Sequence, residues 1–177
     1  MPHDHTCPDA CGCGHDHGPQ TGPRPPVATA PPPWRPAGVV RAVALGVFRR
    51  AGQIVCAPVY GDAGPIIGWC PLGGPVAFGE HAADALPRAI HESTGQDIAD
   101  IALLGVLENL YTHEGAPGHE IVFAFSARFT NPDIYTADAL AVTQDGHADE
   151  AKWIPLAKAR AGRLRLMPAG LTDLLPE

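Results

Sequence analysis

Two stretches of this chain concentrate side chains able to do chemistry. In LGGPVAFGEHAADALPRAIHESTG (72–95), Gly73 and Gly74 precede Glu80, and Arg88 and Glu92 follow four residues apart. On a helix that spacing sets a guanidinium and a carboxylate one turn apart, where they can pair. Carboxylates on one helix face also offer oxygen ligands to a hard divalent cation. The second stretch is the N-terminus, where His3, His5, Cys7, Cys11, Cys13, His15 and His17 fall within 15 residues. Imidazole and thiolate donors together suit Zn²⁺ or Ni²⁺. The Cys spacings match no common zinc-finger framework, so a disordered tail that binds metal by composition is expected.

Residues 72–95 resemble the signature of the Nudix hydrolases, which cleave a nucleoside diphosphate linked to another moiety. Gly74, Glu80, Arg88, Ile90, Glu92 and Gly95 stand at the spacing of that motif. Ala89 and Ser93 stand where it has glutamates, and Gln96 where it has an apolar residue. The segments 38–48, 103–109, 118–125 and 150–156 resemble other Nudix features in the same order. The resemblance therefore covers about residues 37–177 and implies an α/β/α sandwich with a mixed sheet.

The resemblance also implies a chemistry. A pyrophosphate bridge repels an attacking water, and Mg²⁺ or Mn²⁺ offsets that charge and orients the water. In the family, the glutamates of the motif hold the metal or orient the base, and the arginine positions them. Carried onto this chain, Glu92 and Arg88 are the catalytic candidates. Glu80, Glu92 and Glu120 are the metal candidates, and the Gly73–Gly74 turn is the expected ligand contact. Two readings stay open: a metal-dependent hydrolase of reduced activity, and a weakened Nudix fold that binds a ligand or partner. His91, His113 and His119 are read chiefly as surface residues.

The elements that must position these groups follow from patterning. GVVRAVALGVF (38–48), QIVCAPVY (53–60) and IIGWCPL (66–72) read as strands, with a turn at 49–52. Residues 80–94 carry Ala82, Ala83, Leu86 and Ile90 at helical spacing, and Gly95 is placed to end that helix. Pro87 falls inside it and predicts a kink or a restart. Residues 99–111 read as strand and 112–119 as a loop. In 120–129, Ile121, Phe123, Phe125, Ala127 and Phe129 alternate against Val122, Ala124, Ser126 and Arg128. A short strand at 151–156 and a closing helix at 168–175 complete the reading.

Composition bounds the rest. The chain has 177 residues, a formal net charge of −7, and 20 Gly and 20 Pro. Eight of the prolines lie in 19–36, which reads as an extended spacer between a tail (1–18) and one folded domain (37–177). No basic stripe is present, which speaks against nucleic acid as partner. No apolar run reaches the roughly 20 residues a membrane helix needs. The N-terminus lacks the pattern of a secretory signal. Three of five Cys crowd into 7–13, which suits a reducing, cytoplasmic setting. A small nucleotide-like molecule is the expected partner, and a homodimer is left open.

Overall fold

The protein is described here from a computed structural model, which covers residues 34–144 and 146–175. The tail ligands His3, His5, Cys7, Cys11, Cys13, His15 and His17 and most of the spacer lie outside the described residues. Elements run in the order β1 (Val40–Val47), β2 (Arg49–Arg50), β3 (Gln53–Tyr60), β4 (Ile66–Pro75), α1 (Ala82–Thr94), β5 (Ile98–His113) and β6 (Ala116–Phe129). A 3-10 turn (Pro132–Tyr135), β7 (Ala139–Gln144), β8 (His147–Pro155), α2 (Leu156–Arg160) and α3 (Leu171–Leu174) follow.

The strands form one sheet in the order β5-β6-β1-β4-β3-β8-β7, with β2 paired to β3. Only β1 and β6 run parallel among the pairs of described strands. The mixed α/β fold is the one the sequence implies. Side-chain alternation splits the core between the two faces of the sheet. On one face, Leu86 and Ile90 of α1 pack with Phe48, Leu72, Phe125 and Phe129. The rings of Phe48 and Phe129 stack with centroids 4.1 Å apart. On the other face, Leu156 and Leu171 from the short helices pack on Val47, Ile54, Cys56 and Ala124. The odd and even residues of β6 divide between these faces as their alternation predicts.

Several expectations are corrected. Gly73 and Gly74 do not form a turn. They continue β4, opposite Leu45 and Ala44 of β1. Glycine is required there by crowding: a Cβ on Gly73 would sit 2.0 Å from the Ala44 carbonyl oxygen, and one on Gly74 would sit 2.8 Å from the Ala89 Cβ. The loop expected at 112–119 shrinks to a two-residue turn, because Glu114 and Gly115 both take positive φ (47° and 82°). That pairing matches the twist of a tight hairpin and lets the strands pair up to His113 and Ala116.

Helix α1 runs unbroken from Ala82 to Thr94 across Pro87, and Gly95 ends it in the left-handed region at φ 68°. The closing helix is shorter than expected, at Leu171–Leu174. Ahead of β1, Trp34 and Arg35 of the expected spacer already touch the domain. The Trp34 ring meets His113 edge-on at 5.4 Å, the Arg41 guanidinium lies 5.4 Å from its centroid, and Arg35 pairs with Asp62.

The crowding at Gly73 yields a test. Gly73→Ala forces its methyl into a backbone carbonyl that cannot rotate aside. It is expected to lower stability by about 1–3 kcal/mol, read as a reduced urea midpoint. Gly38→Ala, where a Cβ meets nothing within 4 Å, pays only the cost of its φ of 70° and serves as the comparison.

Candidate functional site

The motif region is built on the contact between β4 and α1. With no side chain at Gly74, α1 lies close enough for Ala89 to be buried against the strand. Arg88, beside Ala89, and Glu92, about one turn on, point outward from α1. Arg88 is the hub of the cluster. Its Nε donates to Glu80 Oε1 at 2.7 Å and its Nη2 to Glu80 Oε2 at 2.7 Å. Nη1 donates to Glu92 Oε2 at 3.1 Å, and Nη2 also reaches the Pro75 carbonyl at 3.0 Å. The guanidinium thus ties the end of β4, the loop before α1 and the helix itself. Pro87 leaves Arg88 and Glu92 joined to Glu80.

This network occupies Glu80. Besides the two-pronged ion pair, Glu80 Oε2 accepts the Ala77 amide at 2.9 Å. The Arg88 bonds, with that amide, hold the Glu80 carboxyl down at about 2. Glu80 in turn raises the Arg88 guanidinium above its ordinary value. Glu92 differs: its side chain is 63% exposed and meets only one guanidinium nitrogen. Ser93 turns its hydroxyl back onto the helix, donating to the Ala89 carbonyl at 2.8 Å. Ala89 has no donor atom at all.

Glu120, expected beside Glu80 and Glu92 as a metal ligand, lies apart from them on the other face of the sheet. It sits opposite Arg41 of β1 and Asn109 of β5. Arg41 and Glu120 lie out of phase with Ala44 and Phe123, which face α1, so they project from the opposite face of the sheet. There Glu120 is 14% exposed and ion-paired to Arg41. It also accepts from Asn109 Nδ2 at 3.1 Å and Tyr111 Oη at 3.1 Å. It balances a half-buried charge and is not available to α1.

The motif face therefore offers a hard cation few protein oxygens of its own. Mg²⁺ is usually held by one or two carboxylates together with waters and substrate phosphates. The motif face offers Glu92 with one carboxylate oxygen outside the Arg88 pair. No group of three His, Cys, Asp or Glu side chains placed to hold a metal occurs among the described residues. His91 pairs with Asp97 (Nδ1 to Oδ1, 3.0 Å) and His113 packs on Trp34. Cys56 and Cys70 are free thiols, and burial pushes Cys70 up to about 12, which leaves it an inert packing residue.

A mixed sheet carrying a strand–loop–helix motif cross-braced by one arginine defines a Nudix-type fold. The NUDIX domain model matches residues 39–175, and the chain belongs to that family. No curated protein matches it closely enough to count as a relative. Among solved structures it is similar to a MutT NUDIX hydrolase from Burkholderia pseudomallei, at 21% identity over 67% of this chain and 85% of that one, TM-score 0.51. It is also similar to a NUDIX hydrolase from Nitrosomonas europaea, at 17% identity over 77% and 86%, TM-score 0.55. A UDP-X diphosphatase matches at 13% identity over 85% of this chain and 64% of that one, TM-score 0.51. Nudix hydrolases act on nucleotide-like small molecules and generally use a divalent metal such as Mg²⁺ or Mn²⁺. No helix among the described residues is long and apolar enough to cross a membrane.

Two measurements check this geometry. Glu80 is held below its ordinary value of 4.5, so its contribution to stability is present above that pH and is lost as pH falls through about 2. The melting-temperature gap between wild type and Glu80→Gln is therefore expected to be constant near neutrality and to close towards pH 2. Glu120→Ala leaves the Arg41 charge unpaired. It is expected to cost about 1–3 kcal/mol of unfolding free energy by denaturant titration, with no change in the response to Mg²⁺.

Proposed function

We propose that this chain binds a nucleoside-diphosphate-type small molecule, with hydrolytic turnover far below that of a complete Nudix motif. The observation that carries this reading is the composition of α1: Ala89 and Ser93 supply no carboxylate, and most of the acceptor capacity of Glu80 is taken by Arg88 and the Ala77 amide. Glu92 alone remains of the acidic helix face. Removing one general base or metal-holding carboxylate costs typically about 10²–10⁴-fold in rate. Two such losses on one helix leave the fold and the ligand surface intact while the chemistry fades. The names of the structural neighbours, which include a UDP-X diphosphatase and an ADP-ribose pyrophosphatase, support a diphosphate-linked ligand.

The test restores what the helix lacks. The full chain, Glu92→Gln, and the double variant Ala89→Glu/Ser93→Glu are compared on nucleotide sugars, dinucleotides and nucleoside triphosphates with Mg²⁺ or Mn²⁺. The double variant is expected to gain about 10²-fold or more in metal-dependent turnover, and wild type to show ligand-induced thermal stabilisation with little product. Wild-type turnover equal to that of the double variant, and abolished in Glu92→Gln, contradicts the proposal and favours an ordinary hydrolase.

A further inference from the structure

Helices α2 and α3 pack on Ile54, Cys56 and Ile154, on the face of the sheet opposite α1. Further along the same strands that face holds a cavity of about 360 Å³ between β4, β3 and β8. Its two sides differ in chemistry, and register explains why. Pro58 is paired with Trp69 and Tyr60 with Ile66, which sets three large side chains around the proline ring. Tyr60 and Ile66 are 43% and 47% exposed. On the other side Cys56 is paired with Lys152, so Lys152 and Glu150, two residues before it, share this face.

The charges on β8 are left open. Among the described residues, neither the Glu150 carboxylate nor the Lys152 ammonium has an ion-pair or hydrogen-bond partner, and both residues are exposed. Two residues of strand set them roughly 7 Å apart. Asp149 adds a second carboxylate to the lining. Its Oδ1 accepts from the Tyr60 hydroxyl at 3.3 Å and from the Glu150 amide at 2.7 Å. These bonds tie the acidic end of the cavity to its aromatic wall.

This lining discriminates between ligands. A simple anion meets two carboxylates, and a simple cation meets the Lys152 ammonium. An uncharged apolar molecule desolvates these charges and pairs none of them. A molecule with an ammonium and a carboxylate on one carbon, and an apolar side chain, gives every group a partner. Hydrogen bonds between such charged groups are the strong kind. An aromatic side chain also suits the rings of Trp69 and Tyr60, which favour offset or edge-to-face neighbours.

We propose that this cavity binds a free aromatic α-amino acid. Its ammonium lies at Glu150 and Asp149, its carboxylate at Lys152, and its ring on Pro58 between Trp69 and Tyr60. The site shares no residue with the motif and lies on the other face of the sheet from α1, so it is independent of the nucleotide reading.

The experiment titrates L-phenylalanine, L-phenylalanine amide and N-acetyl-L-phenylalanine into the full chain and follows tryptophan fluorescence. The amide lacks the carboxylate and the acetyl derivative lacks the ammonium. A pH of about 6.5, below the ordinary α-amino range, keeps the remaining amines charged. Wild type is compared with Glu150→Gln and Lys152→Gln, and melting curves confirm folding. Wild type is expected to bind L-phenylalanine with a Kd of about 1 mM or tighter, and each derivative at least about tenfold more weakly. Lys152→Gln is expected to weaken L-phenylalanine about tenfold and leave the amide unchanged. Glu150→Gln is expected to weaken L-phenylalanine by a similar factor and leave the acetyl derivative unchanged. A wild type that does not bind L-phenylalanine overturns the proposal. Equal binding of the three ligands, or binding that neither substitution changes, overturns it as well. All of these outcomes leave the nucleotide reading standing.

Discussion

The grip of Arg88 on two carboxylates organises the motif region. One guanidinium joins Glu80, Glu92 and the Pro75 carbonyl, so strand, loop and helix form one braced unit. The same bonds consume acceptor capacity. A carboxylate that takes two guanidinium nitrogens and a backbone amide has little left for a cation. In a motif rich in glutamates that use is harmless, because others remain. Here Ala89 and Ser93 remove the surplus, and the brace and the chemistry compete for the same few oxygens. The fold retains the brace.

The close approach of α1 to β4 follows from two residues. Gly74 presents no side chain and Ala89 only a methyl, and the two backbones meet with the methyl buried between them. This explains how the helix can lose an acidic group at 89 without loosening. An alanine there packs well, and Leu86 and Ile90 on either side anchor the same face in the core. The opposite face of the sheet follows the same logic, where Glu120 answers Arg41, Asn109 and Tyr111 and serves the stability of three strands.

Much of the fold is legible in the sequence because its signals are local. The alternation of 120–129, the helical spacing of 82–90 and the glycine at 95 each depend on near neighbours, and each element forms where its pattern lies. The misreadings have a common cause, which is that the deciding partner is distant in sequence. Gly73–Gly74 looks like a turn until Ala44 is placed opposite it. Residues 112–119 look like a loop because the positive φ of Glu114, a rare state outside glycine, is invisible in its residue type. Strand β7 is missing from the sequence reading although Leu140 and Val142 alternate with exposed neighbours, and it pairs along its length with β8. Glu120 looks like a metal ligand from its neighbourhood in sequence. Its face follows from strand register, which a count along the alternation of 121–129 supplies. The cavity beside Pro58 draws its walls from three strands and carries no local signature.

The account stands on the claim that the outer face of α1, without a bound phosphate, cannot gather enough oxygen to hold a hard cation tightly. Titrating Mn²⁺ into the isotopically labelled full chain, and following paramagnetic broadening of the backbone amides of residues 88–95, tests that claim at the helix itself and separates it from any metal taken up elsewhere. Intensities at 88–95 that stay constant up to about millimolar Mn²⁺ are the predicted result. Saturable broadening centred on Glu92 at about micromolar Mn²⁺ would contradict it, and would return this helix to the ordinary metal chemistry of its family.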